Sequence, residues 1–318
     1  MTGSIVLVAS WRDGVRLISD GAVRQELIGQ PVAGLAGDGR GGALAIVGGK
    51  SLCRRPEDGR WSTLATSEMD LSCCVACGTD IYVGTDTAQV LRARQDGGLQ
   101  DGGLERLAGF DQTPGRERWY CGAALIDGRL VGPPLGIRSI ATSCDQATLL
   151  ANVHVGGIPR SIDGGATWQP SIDIDADVHQ VCAHPTRAGL IIAAAAAGLC
   201  ISHDGGQTWT IEREGLHAPY CSAVAFAGDD ILVAASTDHF AAQGALYRRA
   251  LAGGRLLPVR GGLPTWLDGI ADTGNIAVRG ASVAVADRGG NLYLSADAGG
   301  TWMRAASAVP TPSSVLIP

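Results

Sequence analysis

Ser161-Ile-Asp163-Gly-Gly165-Ala-Thr167-Trp168, Ser202-His-Asp204-Gly-Gly206-Gln-Thr208-Trp209 and Ser295-Ala-Asp297-Ala-Gly299-Gly-Thr301-Trp302 all fit the pattern Ser-x-Asp-x-Gly-x-Thr-Trp. These residue types describe a tight turn between two antiparallel strands. A short Asp carboxylate accepts hydrogen bonds from N–H groups a few residues on. The central Gly takes positive φ without steric cost. The Thr opens the returning strand, and its hydroxyl reaches back to the Asp. The Trp covers hydrophobic surface between neighbouring sheets. Turn chemistry accounts for all of it. Asp163, Gly165, Trp168, Asp204, Gly206, Trp209, Asp297, Gly299 and Trp302 are therefore expected to be structural.

Trp168 and Trp209 lie 41 residues apart, and Trp209 and Trp302 lie 93 apart, about two such periods. A degenerate repeat is expected between them, and Gly244–Arg249 with Leu256–Arg260 fits it. Leu52-Cys-Arg-Arg-Pro-Glu-Asp-Gly-Arg-Trp61 reads as an eroded copy, with Pro56 where the Asp should be. A period of this length is a propeller signature. Each repeat reads as four strands, best seen in Val178–Ala183, Leu190–Ala195, Gly198–Ser202 and Thr208–Arg213. Inner strands are expected near Val32–Ala36, Ser72–Cys77, Ile137–Thr142, Val178–Ala183, Ser222–Ala227 and Asn275–Arg279. Ser314–Ile317 is left over at one end, and Ile5–Ala9, Val15–Ser19 and Val23–Leu27 at the other. Together they make a seventh blade that leaves no free sheet edge. Six blades would leave the N-terminal hairpin unexplained.

The eight-residue pattern resembles the Asp box, or BNR repeat, of sialidases and related β-propellers of the WD40/YVTN-like kind. The resemblance implies one all-β propeller of four-stranded antiparallel blades over residues 1–318. In sialidase-like propellers the boxes sit on the outer face, away from the ligand site.

Composition agrees. Among 318 residues there are 46 glycines and 46% apolar side chains, the profile of many short strands joined by Gly-rich turns. A net charge of −6 without a basic run argues against nucleic acid. No apolar run approaches the ~20 residues of a membrane span. Met1–Ser10 lacks the basic start of a secretory signal. The nine cysteines are scattered and read as buried reduced thiols. A cytoplasmic monomer is expected. Cys73, Cys74 and Cys77 share one strand and point to opposite faces, so they are not read as a metal site.

Two connections break the period. Phe110–Gly136 contains Arg116, Arg118, Trp119, Tyr120 and Gly132-Pro-Pro134, and Gly261–Gly274 contains Trp266, Asp268 and Asp272. Loops this long tend to be functional or disordered, and the aromatic content argues against disorder.

The links between outer and next inner strands, and those between second and third strands, meet at one mouth of the channel. His154, His179, His217 and His239 map there, whereas His184 maps to the opposite face and His203 to a solvated turn. Asp173, Asp175, Asp177, Asp238, Asp268 and Asp272 share that rim. Imidazole carries protons near neutral pH, and in its neutral form binds transition metals. His154, His179, His217, Asp177 and Asp268 are candidates for catalysis. His154, His179, His217 and His239 are candidates for a transition metal ion. Arg116, Arg118, Trp119, Tyr120, Arg138, Arg160, Tyr220, Trp266 and Asp272 are candidates for ligand binding, the arginines favouring an anion.

The expected function is binding of, or action on, a small ligand at this mouth. If the protein is an enzyme, it is a hydrolase or metal-dependent. Resemblance to the propellers of photosystem assembly factors and sortilin-type receptors implies a second reading, a non-catalytic scaffold for a protein partner. A glycoside hydrolase is the third. Sialidase activity is not expected, because that family's early Arg-Ile-Pro motif is absent.

Overall fold

A computed structural model describes residues 5–19, 21–57, 59–95, 103–120, 124–126, 129–131 and 135–318. Gly132-Pro-Pro134, Cys121 and Asp58 lie outside them. Seven four-stranded antiparallel sheets form a seven-bladed β-propeller, with a two-stranded hairpin, Ala124–Ile126 and Arg129–Val131, in the connection after the second blade. Blades 1 to 6 begin with inner strands Val32–Gly37, Leu71–Cys77, Ile137–Thr142, Val178–Ala183, Tyr220–Ala227 and Ile276–Arg279. Blade 7 takes its inner strand, Pro312–Leu316, from the C-terminal end. Its outer three, Val6–Ser10, Val15–Ser19 and Ala22–Glu26, come from the N-terminal end. The expected closure is therefore observed, and the degenerate repeat is blade 5, with strands Ala245–Ala250 and Leu257–Pro258.

Seven buried clusters hold the ring together, one at each blade-to-blade interface. Strand Ile191–Ala195 is buried along its whole length. Ile191, Ala193 and Ala195 face blade 3, while Ile192 and Ala194 face blade 5. Period-2 alternation thus sends both side-chain sets into a core. This explains why second strands read as unbroken apolar runs.

The three turns have the expected chemistry. In the first, Ser161 Oγ donates to Asp163 Oδ1 (2.8 Å), Thr167 N to Asp163 Oδ1 (2.9 Å) and Thr167 Oγ1 to Asp163 Oδ2 (2.6 Å). Asp204 and Asp297 repeat this with Ser202 and Thr208, and with Ser295 and Thr301. Gly165, Gly206 and Gly299 have φ of +90°, +83° and +85°. Trp168 and Trp302 are buried, and their Nε1–H groups donate to Gly165 O and Gly299 O at 3.0 Å. Trp209 is only partly buried and donates to Ser171 Oγ at 3.3 Å.

Each turn is also held by the blade before it. Tyr82 OH donates to Gly164 O (3.3 Å), Arg160 Nε to Gly205 O (2.7 Å) and Arg248 Nη2 to Ala298 O (2.6 Å), always at the fourth position of the motif. This corrects the expectation for Arg160. Its guanidinium serves a turn between third and outer strands, at the opposite end of the blades from the mouth.

The cysteine expectation needs one correction. All eight described cysteines are free, but Cys144 is exposed. Burial pushes the thiols of Cys73 and Cys182 up, to about 12 and about 11, so these are inert.

Candidate functional site

Six inner strands carry a β-bulge near their start. The residue left out of the ladder is Ala33, Ser72, Arg138, His179, Ser222 or Ser313 in blades 1, 2, 3, 4, 5 and 7. A bulge re-aims its side chain. Four of these side chains lace one blade to the next. Ser72 Oγ donates to Ile137 O (2.6 Å), Ser222 Oγ to Ala271 O (2.6 Å) and Ser313 Oγ to Val32 O (2.5 Å). His179 does the same through Nδ1, 2.5 Å from Cys221 O. Its ring is longer than a serine, so Nε2 projects past the lacing bond.

That nitrogen meets Asp177 Oδ2 at 3.7 Å, and His154 Nε2 meets Asp177 Oδ1 at 3.7 Å. One donor atom from each of the three lies within 4.8 Å of the others. Local structure fixes all three. Asp173 Oδ1 accepts from Asp175 N (3.0 Å) and caps a 3₁₀ turn, Ile174–Ala176, which ends with Asp177 at φ +49°. A short polar residue tolerates that left-handed conformation. His154 follows strand Leu149–Val153 and starts a turn closed by Val153 N donating to Gly157 O (3.0 Å). A side chain at Gly156 would meet Val153 and Trp119, and one at Gly157 would meet Ile172 O. The turn is therefore wedged between Trp119 and Ile172.

The polarity here is left unsatisfied. His154 Nδ1, His179 Nε2, Asp177 Oδ1 and both side-chain polar atoms of Asn152 are buried without a hydrogen-bond partner among the described residues. Asn152 is fully buried, two residues before His154. Native structures leave few such atoms unpaired. Burial, reinforced by the Arg138 guanidinium, pushes His154 down to about 4, so its ring is neutral at pH 7. Burial would raise Asp177, but the neighbouring His179, then His154 and Arg138, hold it below the usual carboxylate range. Tyr220 packs on His179 at 4.6 Å between ring centres, and burial pushes its phenol up to about 12.

The other expected residues are placed as follows. His217 is not part of this cluster; its Nδ1 is 2.7 Å from Tyr247 OH, and its ring lies 5.0 Å from that of the exposed Trp266. His239 is exposed against Phe240. Of the four histidines expected to share one ion, only His154 and His179 come together, with Asp177. His217 lies in the link from blade 4 to blade 5 and His239 in a loop of blade 5, farther round the ring than His154 and His179. Asp268 is exposed, and Asp272 pairs with Arg288 at 2.8 Å.

Arg116 is committed elsewhere. It donates to Ala88 O (2.7 Å), stacks 4.7 Å from the Trp119 ring and lies 3.6 Å from Asp111. Trp119 is buried beside Phe110. Arg118 and Trp119 line a cleft of about 400 Å³ with Ile172 and Asp173, and Tyr120 is exposed. Arg138 is half-buried on its bulge and faces His154, Asp177 and Tyr220 electrostatically. An apolar hollow of about 560 Å³ lies elsewhere, between blades 6 and 7 at Val6, Ile18, Leu294 and Trp302.

Sequence reasoning does not single out Asn152, Arg288 or Asp86. Asp86 follows the second strand of blade 2, and burial, then Asp70, raises its carboxyl. Asn152 was legible only as a polar residue interrupting an apolar strand.

No protein-family profile matches this sequence, and no curated protein matches it. Its fold is similar to solved structures. A GH74 xyloglucanase from Xanthomonas campestris aligns at TM-score 0.57 and 19% identity over 86% of this chain and 45% of that one. An ancestral GH74 enzyme aligns at TM-score 0.58 and 16% identity over 83% and 36%. A proposed 6-phosphogluconolactonase from Bacteroides fragilis aligns at TM-score 0.59 and 13% identity over 99% and 97%. The chain thus spans less than half the length of the two GH74 structures. At these identities the likeness is one of fold. No helix among the described residues is long and apolar enough to cross a membrane.

Proposed function

We propose that the channel mouth is the working site, and that His154, Asp177 and His179 hold a divalent transition metal ion to which a small ligand binds. The observation that carries this reading is the convergence of their donor atoms within 4.8 Å, with three of those residues' polar atoms buried and unpartnered. Donors about 2.1 Å from one ion stand roughly 3.4 Å apart at the tetrahedral angle, close to the 3.7 Å of both His–Asp pairs. Two imidazoles and a carboxylate suit zinc, iron, manganese or nickel. Three protein ligands leave room for water or substrate, as catalytic sites do. An ion there polarises an oxygen or lowers the pKa of bound water, which favours metal-assisted hydrolysis.

The xyloglucanase neighbours suggest a glycoside hydrolase instead. That chemistry needs one carboxylic acid kept protonated opposite a carboxylate. Asp177 is held low and Asp272 is paired with Arg288, so neither of these two supplies that acid, and the convergence of His154, Asp177 and His179 favours the metal reading. The likeness of the three turns to Asp boxes supports a structural role for the opposite face.

The test is elemental analysis of tag-free protein after separate incubation with zinc, manganese, iron(II) and nickel, then desalting. Near one ion per chain is expected, with loss in Asp177→Asn and in the His154→Ala, His179→Ala double variant. Unchanged melting curves would show that the variants fold. Retention by the variants, or none by the wild type, overturns the reading.

A further inference from the structure

We propose that the ligand is a small carboxylate, held between the ion on His154, Asp177 and His179 and the guanidinium of Arg138. This rests on the metal reading above. Among the six bulge residues around the channel, Arg138 is the one with a permanent charge, and it stands on the blade beside His179. Its neighbours at the equivalent positions, Ser72, His179 and Ser222, spend a hydrogen bond on the next blade. Among the described residues no hydrogen bond or ion pair occupies Arg138. A half-buried guanidinium offers five N–H donors in a fork that fits a carboxylate.

Charge points the same way. The Arg288–Asp272 pair near Tyr220 is internally neutral. A divalent ion beside Asp177 and Arg138 leaves a surplus of positive charge in a partly buried mouth, which attracts an anion. Tyr220 packs on the His179 ring, and its phenolic O–H is a further donor for the same anion. Asn152 and His154 Nδ1 add unspent polar atoms close by.

Oxalate and acetate serve as probes, with acetamide as the uncharged control, measured by isothermal titration against zinc-loaded and zinc-free protein. Zinc content is determined first, without any anion present. Oxalate is expected to bind the zinc-loaded protein at least tenfold more tightly than the zinc-free protein, and acetamide not to bind. Arg138→Leu should weaken oxalate at least tenfold while zinc content stays at the wild-type value, and Arg138→Lys should restore part of the loss. Oxalate binding unchanged in Arg138→Leu, with zinc retained, overturns this inference and leaves the metal reading standing. Zinc not retained by the wild type overturns the reading beneath it, and the zinc assay alone reports that.

Discussion

His179 Nε2 faces Asp177 Oδ2 at 3.7 Å while the opposite ring nitrogen is bonded to the carbonyl of Cys221. A carbonyl only accepts, so the Nδ1 position carries the proton. In the neutral ring, Nε2 then presents a lone pair to a carboxylate. Two acceptors in contact are stable only with a cation between them or a proton on the nitrogen. The bond that laces blade 4 to blade 5 therefore also sets the tautomer that a metal ligand requires.

The first prediction separates this cluster from the other mouth histidines. His154→Ala should weaken zinc binding by at least tenfold in a competitive chelator titration, because a ligand is lost. His217→Ala and His239→Ala should match the wild type, since their rings meet Tyr247 and Phe240 instead. Equal losses in all three would show that the ion lies elsewhere on the rim.

Acid stability follows from the three turns. Hydrogen bonds from Thr167 and Ser161 push Asp163 down to about 2 from an ordinary 3.8, and Asp204 and Asp297 are lowered by the same contacts. A depressed carboxyl stabilises the fold above its unfolded value and loses that contribution as pH falls toward the folded value. Melting temperature should hold above pH 4 and decline from there to pH 2. An Asp163→Asn, Asp297→Asn variant should melt lower at pH 7 and show a shallower decline. A variant curve parallel to the wild type would contradict this.

Arg160 offers a control on the opposite face. Arg160→Leu removes the donor to Gly205 O and should cost about 1–3 kcal/mol, the usual penalty for an unmet buried partner of a charged group. Urea unfolding measures it. Zinc and oxalate affinities should not change, because this side chain is not at the mouth.

Ala298 tests the fourth motif position. Gly164 and Gly205 have φ of +70° and +72° there, whereas Ala298 has +55°. Ala298→Gly removes left-handed strain and should stabilise by up to about 1 kcal/mol in urea unfolding. A loss of stability would mean that the Cβ is needed for packing.

Much of the fold was written in local chemistry. Asp163, Asp204 and Asp297 can serve their turns using only the residues between Ser and Trp, so the repeat was readable without knowing any neighbour. The closing blade followed because Pro312–Leu316 is a single strand and the three strands from Val6 to Glu26 are one short of a blade. The site was legible only in part. His154, Asp177 and His179 could be assigned to one rim by counting strands, but so could His217, His239 and Arg160.

What divided them was tertiary. A bulge shifts the side-chain alternation by one residue, so His179 turns to the mouth at a position that counting alone cannot fix. Arg160 and Arg138 look alike in sequence, and only the neighbouring blade shows that one is bonded to Gly205 and the other is unspent. The sequence by itself determined the turns and the strands of each blade, because those depend on contacts within about 40 residues, and it determined the ring because the strands left over at the two ends complete one blade. The tertiary structure decided the site, because its donors come from different blades and meet only when the ring closes.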